Sequence, residues 1–196
     1  MADPATKRMT LDDFLWWDDG TETRYELIDG FPVAMAPPAE AHRILAVRLA
    51  SRIDAAVTSR RPCNAQIEPG VTRPDRANSY YVPDIAVTCE PNEPGRQAMV
   101  DPILVVEILS PSTERSDRRL KLPAYQGIES VREVLLIDAD GYHAEVYRRE
   151  NNHWGIELVR GAEAVLFLAS VDVRIAMFEL YEGIAIPTVA SEVGIR

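Results

Sequence analysis

Hydrophobic and polar positions follow two different periods along the chain, and together they predict helices and strands in one fold. From His42 to Val57 apolar residues recur every three or four positions, the pattern of a helix with one buried face. A shorter helix is predicted after Thr10, an N-cap residue followed by acidic residues, with Gly20 closing it. Between these helices, Asp29-Gly30 separates two short apolar runs and predicts a tight hairpin with an exposed tip.

Most of the remaining pattern indicates strands. Positions 65–72 and 80–89 are β-like, and Pro83 interrupts the second as expected at a strand start or bulge. Positions 103–109 are almost continuously apolar, which is typical of a central strand covered on both faces. Three further runs separated by turn residues predict an antiparallel meander, at positions 131–138, 144–149 and 156–159.

Two segments are less regular. Positions 113–126 have helical character, but Pro123 should kink that helix or split it into two short pieces before Gly127 ends it. Positions 173–181 fit either a strand or a helix. No linker or repeat divides the 196 residues, so we expect one α+β domain over 1–196, with loosely ordered tails at 1–9 and 188–196.

Composition narrows the classes of function. A net charge of −10 opposes nucleic-acid binding, because phosphate contacts come from Lys and Arg. The charge is uneven, however, and the segment 43–61 carries five arginines against one aspartate. Two cysteines are too few for a zinc cage. No apolar stretch reaches membrane-spanning length and the first ten residues do not resemble a signal peptide, so we expect a cytoplasmic protein.

Glu107 is the residue that most needs an explanation. A carboxylate inside an apolar strand costs several kcal/mol unless it is paired or bound to a cation. One interpretation is a buried ion pair with a nearby arginine. The other involves Asp84, which opens an apolar segment 23 residues upstream, a spacing that suits two neighbouring strands.

Two acids on adjacent strands would form a minimal site for Mg²⁺ or Mn²⁺, leaving positions for water and substrate oxygens. Hydrolysis of a phosphodiester is the chemistry that such a site favours. Lys121 could supply a cationic group, since it lies four residues after Asp117 on one face of the following helix. The alternative for these two residues is a plain surface salt bridge.

The motifs between about residues 10 and 150 resemble those of the Uma-two family of small bacterial proteins. They are Glu26-Leu27-Ile28-Asp29-Gly30, Met35-Ala36-Pro37, His42, Asp84 after Pro83, the run VEILSPST at 106–113, Asp117, Lys121, Tyr125 and the run VREVLLID at 131–138. The resemblance implies the restriction-endonuclease-like fold of the PD-(D/E)XK nuclease superfamily, a central mixed sheet flanked by helices. It also implies a Mg²⁺-dependent endonuclease acting on DNA.

Carried over to this chain, the resemblance makes Asp84 and Glu107 metal ligands and lets a lysine orient or deprotonate the attacking water. That lysine usually stands two residues after the acid, where this chain has Leu109, so the role would pass to Lys121 on the next helix. Glu26 would be a further acidic site residue. Its alternative is an exposed strand residue near the hairpin.

Three basic residues are candidates for phosphate binding: His42, Arg48 and Arg52. His42 could instead cap its own helix. The missing strand lysine and the acidic net charge also allow a nuclease-fold protein that binds nucleic acid or a protein partner without cleaving it. A purely structural dimer module is the third interpretation, and the sequence leaves a homodimer open.

Overall fold

The structure is a computed structural model, and it describes residues 8–73, 76–111 and 113–187. The tails expected at 1–9 and 188–196 lie outside the described residues, apart from positions 8 and 9. Within the described part, strands dominate and helices are few, so the α+β prediction is confirmed. The helices are α1 Leu11–Leu15, α2 Glu40–Val57, α3 Glu114–Ser116, α4 Leu122–Gln126 and α5 Met177–Leu180, with a π-helical turn at Asp117–Lys121.

The strands form sheets of six, four and two members. In chain order they are β1 Tyr25–Ile28, β2 Phe31–Ala34, β3 Asn64–Ile67, β4 Val71–Arg73, β5 Arg76–Tyr81, β6 Ile85–Thr88, β7 Pro102–Leu109, β8 Glu133–Asp138, β9 His143–Glu150, β10 His153–Arg160, β11 Val165–Leu168 and β12 Val173–Ala176. The largest sheet has the order β10-β9-β8-β7-β6-β3, the second β2-β1-β5-β4, and the third pairs β11 with β12.

Strand β7 lies in the interior of the six-stranded sheet, as its apolar run predicted. It pairs in parallel with β8, whereas the other pairings in that sheet are antiparallel, so the sheet is mixed. One face packs against α2 and α5, and the other against α4. The predicted meander of β8, β9 and β10 is confirmed.

The two predicted helices form, although their limits differ from the prediction. Helix α2 begins at Glu40 and buries Leu45, Leu49 and Ile53 on the sheet. Thr10 caps α1 as expected, but the helix ends at Leu15 and does not run to Gly20. The reason is local competition, since the Asp18 and Asp19 side chains accept hydrogen bonds from the backbone N–H groups of residues 20 and 21.

The predicted hairpin is present, with positive φ angles at Asp29 and Gly30. Its tip is only partly exposed, because Gly30 is buried. The N–H of Met9 donates to the Gly30 carbonyl, and the Gly30 N–H donates to the carbonyl of Asn78. The expectation of a fully exposed tip was therefore wrong at Gly30.

The predictions of single strands at 65–72 and 80–89 were wrong. The first segment divides into β3 and β4 and the second into β5 and β6, and each break moves the chain between the six-stranded and the four-stranded sheet. Pro83 lies at the second break, where it has no N–H for a ladder hydrogen bond. That break places Asp84 immediately before β6, at the junction of the two sheets.

The segment 113–126 is helical and contains two short α-helices, α3 and α4, as one of the predicted alternatives has it, but a π-helical turn joins them without a break. The N–H of Leu122 donates to the Asp117 carbonyl, five residues earlier. Pro123 lacks an N–H and its ring would crowd the carbonyl four residues before it, which a wider turn relieves. The ambiguous segment 173–181 contains both types of element, β12 followed by α5.

Cys63 and Cys89 form a disulfide between the ends of β3 and β6, a pairing that the sequence did not predict. Disulfides are uncommon in the cytoplasm of most organisms, and a cytoplasmic location stays an expectation. None of the described helices is long and apolar enough to cross a membrane.

Candidate active site

Asp84 and Glu107 meet where β6 and β7 run side by side. The antiparallel register pairs Ile85 with Val106, and its continuation sets Asp84 opposite Glu107. Side chains directly opposite on such a pair have Cβ atoms about 5 Å apart. Asp84 is fixed by its own Oδ2, which accepts a hydrogen bond of 2.6 Å from the N–H of Ile108. Both carboxylates line one pocket of about 440 Å³.

Lys121 enters the same pocket from the opposite side. Its Nζ lies 2.9 Å from Glu26 Oε1, 3.3 Å from Glu107 Oε1 and 3.4 Å from Asp117 Oδ1. All four residues are buried, so the surface salt bridge considered for Lys121 and Asp117 was wrong. The buried ion pair considered for Glu107 does exist, but its cation is Lys121 and not an arginine.

The π-helical turn explains how Asp117 and Lys121 both face Glu107. The turn follows β7 through a short connection, and its wider pitch keeps Asp117 and Lys121 on the side toward the sheet. Asp117 Oδ1 is buried, and its contact with Lys121 Nζ is an ion pair of 3.4 Å. Single π-helical turns of this kind are frequent at functional sites.

Glu26 lies on β1, in the four-stranded sheet, and reaches across to the six-stranded sheet. Its Oε1 contacts Lys121 and accepts a hydrogen bond of 2.8 Å from the N–H of Val82. Glu26 is only 6% exposed, which excludes the interpretation as an exposed strand residue. The two sheets thus contribute acids to one cluster, which we call the acidic cluster: Glu26, Asp84, Glu107 and Asp117.

His42 lies in the first turn of α2 and also faces the pocket. Its Nε2 is 3.1 Å from Asp84 Oδ1, while its Nδ1 is buried without a hydrogen bond to a described residue. Arg48 and Arg52 do not line the pocket. Arg48 donates to the Leu180 carbonyl, and Arg52 forms an ion pair with Glu179.

Electrostatics in the pocket favour added positive charge. Burial, together with Asp84 and Asp117, raises the pKa of Glu107 well above its usual value despite the nearby Lys121. Burial likewise raises the pKa of Asp117. Although burial alone would lower the pKa of Lys121, Glu107, Glu26 and Asp117 together raise it above its usual value, so Lys121 is a cation at neutral pH.

Tyr125 is a site contact that the residue-by-residue reasoning missed. Its hydroxyl donates a 2.6 Å hydrogen bond to Glu107 Oε1, and the residue is fully buried. The signal was present in the sequence, because Asp117, Lys121 and Tyr125 follow one another at intervals of four. Asp117 was recognised only as a partner of Lys121.

The donor set suits a hard divalent cation. Four carboxyl groups lie around one lysine, and carboxylate oxygens are the ligands that Mg²⁺ and Mn²⁺ prefer. The described residues contain no ready-made group of three or more metal-binding side chains. A site with two carboxylates that relies on water and substrate oxygens for its other ligands is compatible with both observations.

The chain matches known proteins over most of its length. Residues 11–176 match a family model described as "Putative restriction endonuclease". The chain belongs to the Uma2 (Uma-two) family. The resemblance inferred from the motifs is thereby confirmed, as is membership of a restriction-endonuclease-like family. The metal, the DNA substrate and the roles of individual site residues stay predictions.

Relatives of this Uma2 protein cover almost its whole length. Two uncharacterized proteins of Synechocystis sp., slr1290 and sll1609, are 27% and 26% identical over 91% and 84% of this chain, in each case over 94% of their own length. A crystal structure of "a putative nuclease belonging to DUF820" from Anabaena variabilis is similar, with a TM-score of 0.72 and 24% identity. The match covers 88% of this chain and 97% of that one, and it confirms the fold.

Proposed function

We propose that this Uma2 protein is a metal-dependent endonuclease that hydrolyses phosphodiester bonds in DNA. The observation that carries the proposal is the convergence of Asp84, Glu107 and Lys121 in one pocket, although they come from different elements. A structural dimer module would have no need for a lysine shared among three buried carboxylates. The family match supports the same class of activity.

In this proposal Asp84 and Glu107 hold Mg²⁺ or Mn²⁺. When bound, the cation would stabilise negative charge on the phosphoryl group and make water a better nucleophile. Glu107 must be ionised to act as a ligand, and the burial that raises its pKa opposes that ionisation, which a bound cation would favour. Ser110 and Thr113 also line the pocket and place hydroxyl groups beside the acids.

Lys121 acts as a hydrogen-bond donor and not as a base. Because its pKa is raised, it holds its proton at neutral pH and can orient the attacking water or stabilise charge that develops on phosphate oxygens. The water oxygen attacks phosphorus, the bond to the leaving oxygen breaks, and that oxygen takes up a proton. Asp117, whose carboxyl group lines the pocket and whose pKa is raised by burial, would receive the proton that the water loses, and the leaving oxygen would take its proton from solvent.

Two further residues position this machinery. Glu26 holds Lys121 through its 2.9 Å contact, and His42 holds Asp84 through its 3.1 Å contact. His42 could in addition donate to a substrate phosphate at the rim of the pocket. Arg48 and Arg52 could contribute phosphate contacts only from outside the pocket, after giving up their bonds to α5.

The test combines metal binding with cleavage. Asp84→Asn keeps the shape of the side chain and removes its charge, so Mn²⁺ binding by calorimetry should weaken strongly and DNA cleavage should fall at least a hundredfold. Asp54→Asn, at an exposed position of α2, is the matched control and should change neither. An unchanged Mn²⁺ isotherm for Asp84→Asn would exclude the metal assignment.

Cleavage by the unmodified protein is the decisive measurement. Plasmid and oligonucleotide DNA should be cut with Mg²⁺ or Mn²⁺ and left intact with EDTA. If no DNA or RNA is cut under these conditions while DNA is still bound, the protein is the non-cleaving nuclease-fold binder that the sequence left open.

A further inference from the structure

The pocket has a second wall that the proposed chemistry does not use. Residues 33–39, with the sequence VAMAPPA, run from β2 to the start of α2, and all seven line the pocket beside the acidic cluster, with Val33 paired across the strands with Glu26. Their side chains are apolar. Met35 is half-buried and the other six are exposed, with Val33 at 43%. We call these residues the apolar strip.

The apolar strip is anchored at both ends. The N–H of Met35 donates to the Arg24 carbonyl, and the Arg43 guanidinium donates to the carbonyl of Pro38 at 2.6 Å. Two consecutive prolines further restrict its backbone. A surface held in this way loses little conformational entropy when a ligand packs on it. Seven consecutive apolar residues kept in place beside buried acids constitute a preformed binding surface.

The charges in the pocket are poorly suited to a duplex backbone. Among the described residues that line it, the acidic ones are Glu26, Glu68, Asp84, Glu107 and Asp117, and the basic ones are Lys121 and His42. Both basic side chains are already paired with these carboxylates. Duplex binding draws most of its affinity from many Lys and Arg contacts to phosphates, and among the described lining residues only Lys121 and His42 could supply a phosphate contact.

The dimensions and the polarity of the pocket fit a different occupant. A volume of about 440 Å³ lies in the range of pockets for organic ligands and far exceeds the space that a cation and its waters need. An unpaired nucleotide has an apolar base face and one phosphate. An unpaired base that has left the stack can pack against apolar or aromatic side chains, as in enzymes that take a base out of the duplex.

We propose that the apolar strip receives an unpaired nucleotide of the substrate, and therefore that the enzyme cleaves single-stranded or locally unpaired DNA in preference to duplex. The inference rests on the proposed nuclease function and specifies its substrate class. The base packs on residues 33–39, which directs the adjoining phosphodiester toward Asp84, Glu107 and Lys121. A paired base cannot reach the strip without leaving the duplex, which costs its pairing and stacking free energy.

The first experiment compares one labelled DNA strand alone, the same strand annealed to its complement, and the annealed strand with a central unpaired bubble. We expect the free strand and the bubble to be cut at least tenfold faster than the duplex, with cuts inside the bubble. Equal or faster cutting of the duplex would overturn this inference and leave the nuclease function intact. Absence of any cutting by the unmodified protein would overturn both.

The second experiment tests the strip itself. Val33→Asn makes its first position polar, and Val165→Asn is the control, because Val165 is an equally exposed strand valine outside the pocket. We expect Val33→Asn to raise KM for single-stranded DNA at least fivefold and Val165→Asn to leave it unchanged, with both variants folded by circular dichroism. An unchanged KM for Val33→Asn and Ala36→Asn alike would place the nucleotide elsewhere and overturn the inference.

Discussion

Replacing Lys121 by methionine should destabilise the protein far more than the loss of a surface ion pair. The substitution keeps most of the side-chain volume but removes the cation that faces Glu26, Glu107 and Asp117. Breaking a buried pair by removing one partner costs about 3–5 kcal/mol, because the remaining charge is left uncompensated. For a chain of this size that corresponds to a melting temperature lower by about 6–20 °C.

The loss should depend on pH, with a defined sign. Burial raises the pKa of Glu107 and of Asp117, and Lys121 opposes both shifts, so both pKa values rise further in the variant. Above about pH 4.5 the unfolded chain ionises these carboxylates while the folded variant retains their protons, so stability falls as pH increases. Lys121→Met should therefore be closer to the unmodified protein at pH 5 than at pH 8.

The assay is urea unfolding at both pH values in the presence of EDTA, so that no bound cation replaces the lysine. Arg118→Met is the matched control, because Arg118 lies on the same π-helical turn, is partly exposed, and pairs with Glu114 and Glu145, which lie outside the acidic cluster. That variant should lose about 1 kcal/mol, nearly independent of pH. A loss for Lys121→Met as small as for Arg118→Met, and equal at both pH values, would refute the buried-charge reasoning.

Two further variants address individual site residues. In Glu26→Gln the side chain should still accept the hydrogen bond from the N–H of Val82 but bind Lys121 less tightly. We therefore expect DNA cleavage to be about ten- to a hundredfold slower, with a nearly unchanged melting temperature. Unaltered cleavage would show that Glu26 has no part in the site. If Arg48 and Arg52 supply phosphate contacts, the double variant Arg48→Glu with Arg52→Glu should bind DNA more weakly in a filter-binding assay at low salt. Full DNA affinity in the folded double variant would place the DNA interface elsewhere.

The sequence predicted the elements best where one residue pattern determined the structure. The periodicity of α2 and the apolar run of β7 each imply burial on a definite face, and both elements form as predicted. The predictions of single strands at 65–72 and 80–89 were wrong because the residue pattern of a strand does not show which sheet the strand joins. The chain crosses between sheets near Pro69 and Pro83, and local composition there indicates only an interruption.

The sequence predicted which residues belong to the candidate site, but it did not predict how deeply Lys121 is buried among them. A charged residue in an apolar strand led to Glu107, and strand spacing led to Asp84, which the register sets opposite it. The burial of Lys121 was not predictable, because the interval from Asp117 suits a surface pair as well as a buried one. Only the packing of the 117–126 segment against β7 decides between these, and that is a tertiary contact.

The geometry also explains how a lysine at either of two sequence positions, 109 or 121, could occupy the same place beside Glu107. Residues 107 and 109 of β7 point to the same face of the sheet, and Leu109 packs there with Leu122 and Tyr125. A lysine at position 109 and a lysine at position 121 would therefore approach the same space, one from the strand and the other from the segment that covers it. The proposed hydrolysis calls for an ammonium group beside Glu107, and this fold offers two backbone positions from which to supply it. Lys121 meets that requirement with Nζ 3.3 Å from Glu107, while Leu109 completes the apolar packing that holds the covering segment in place.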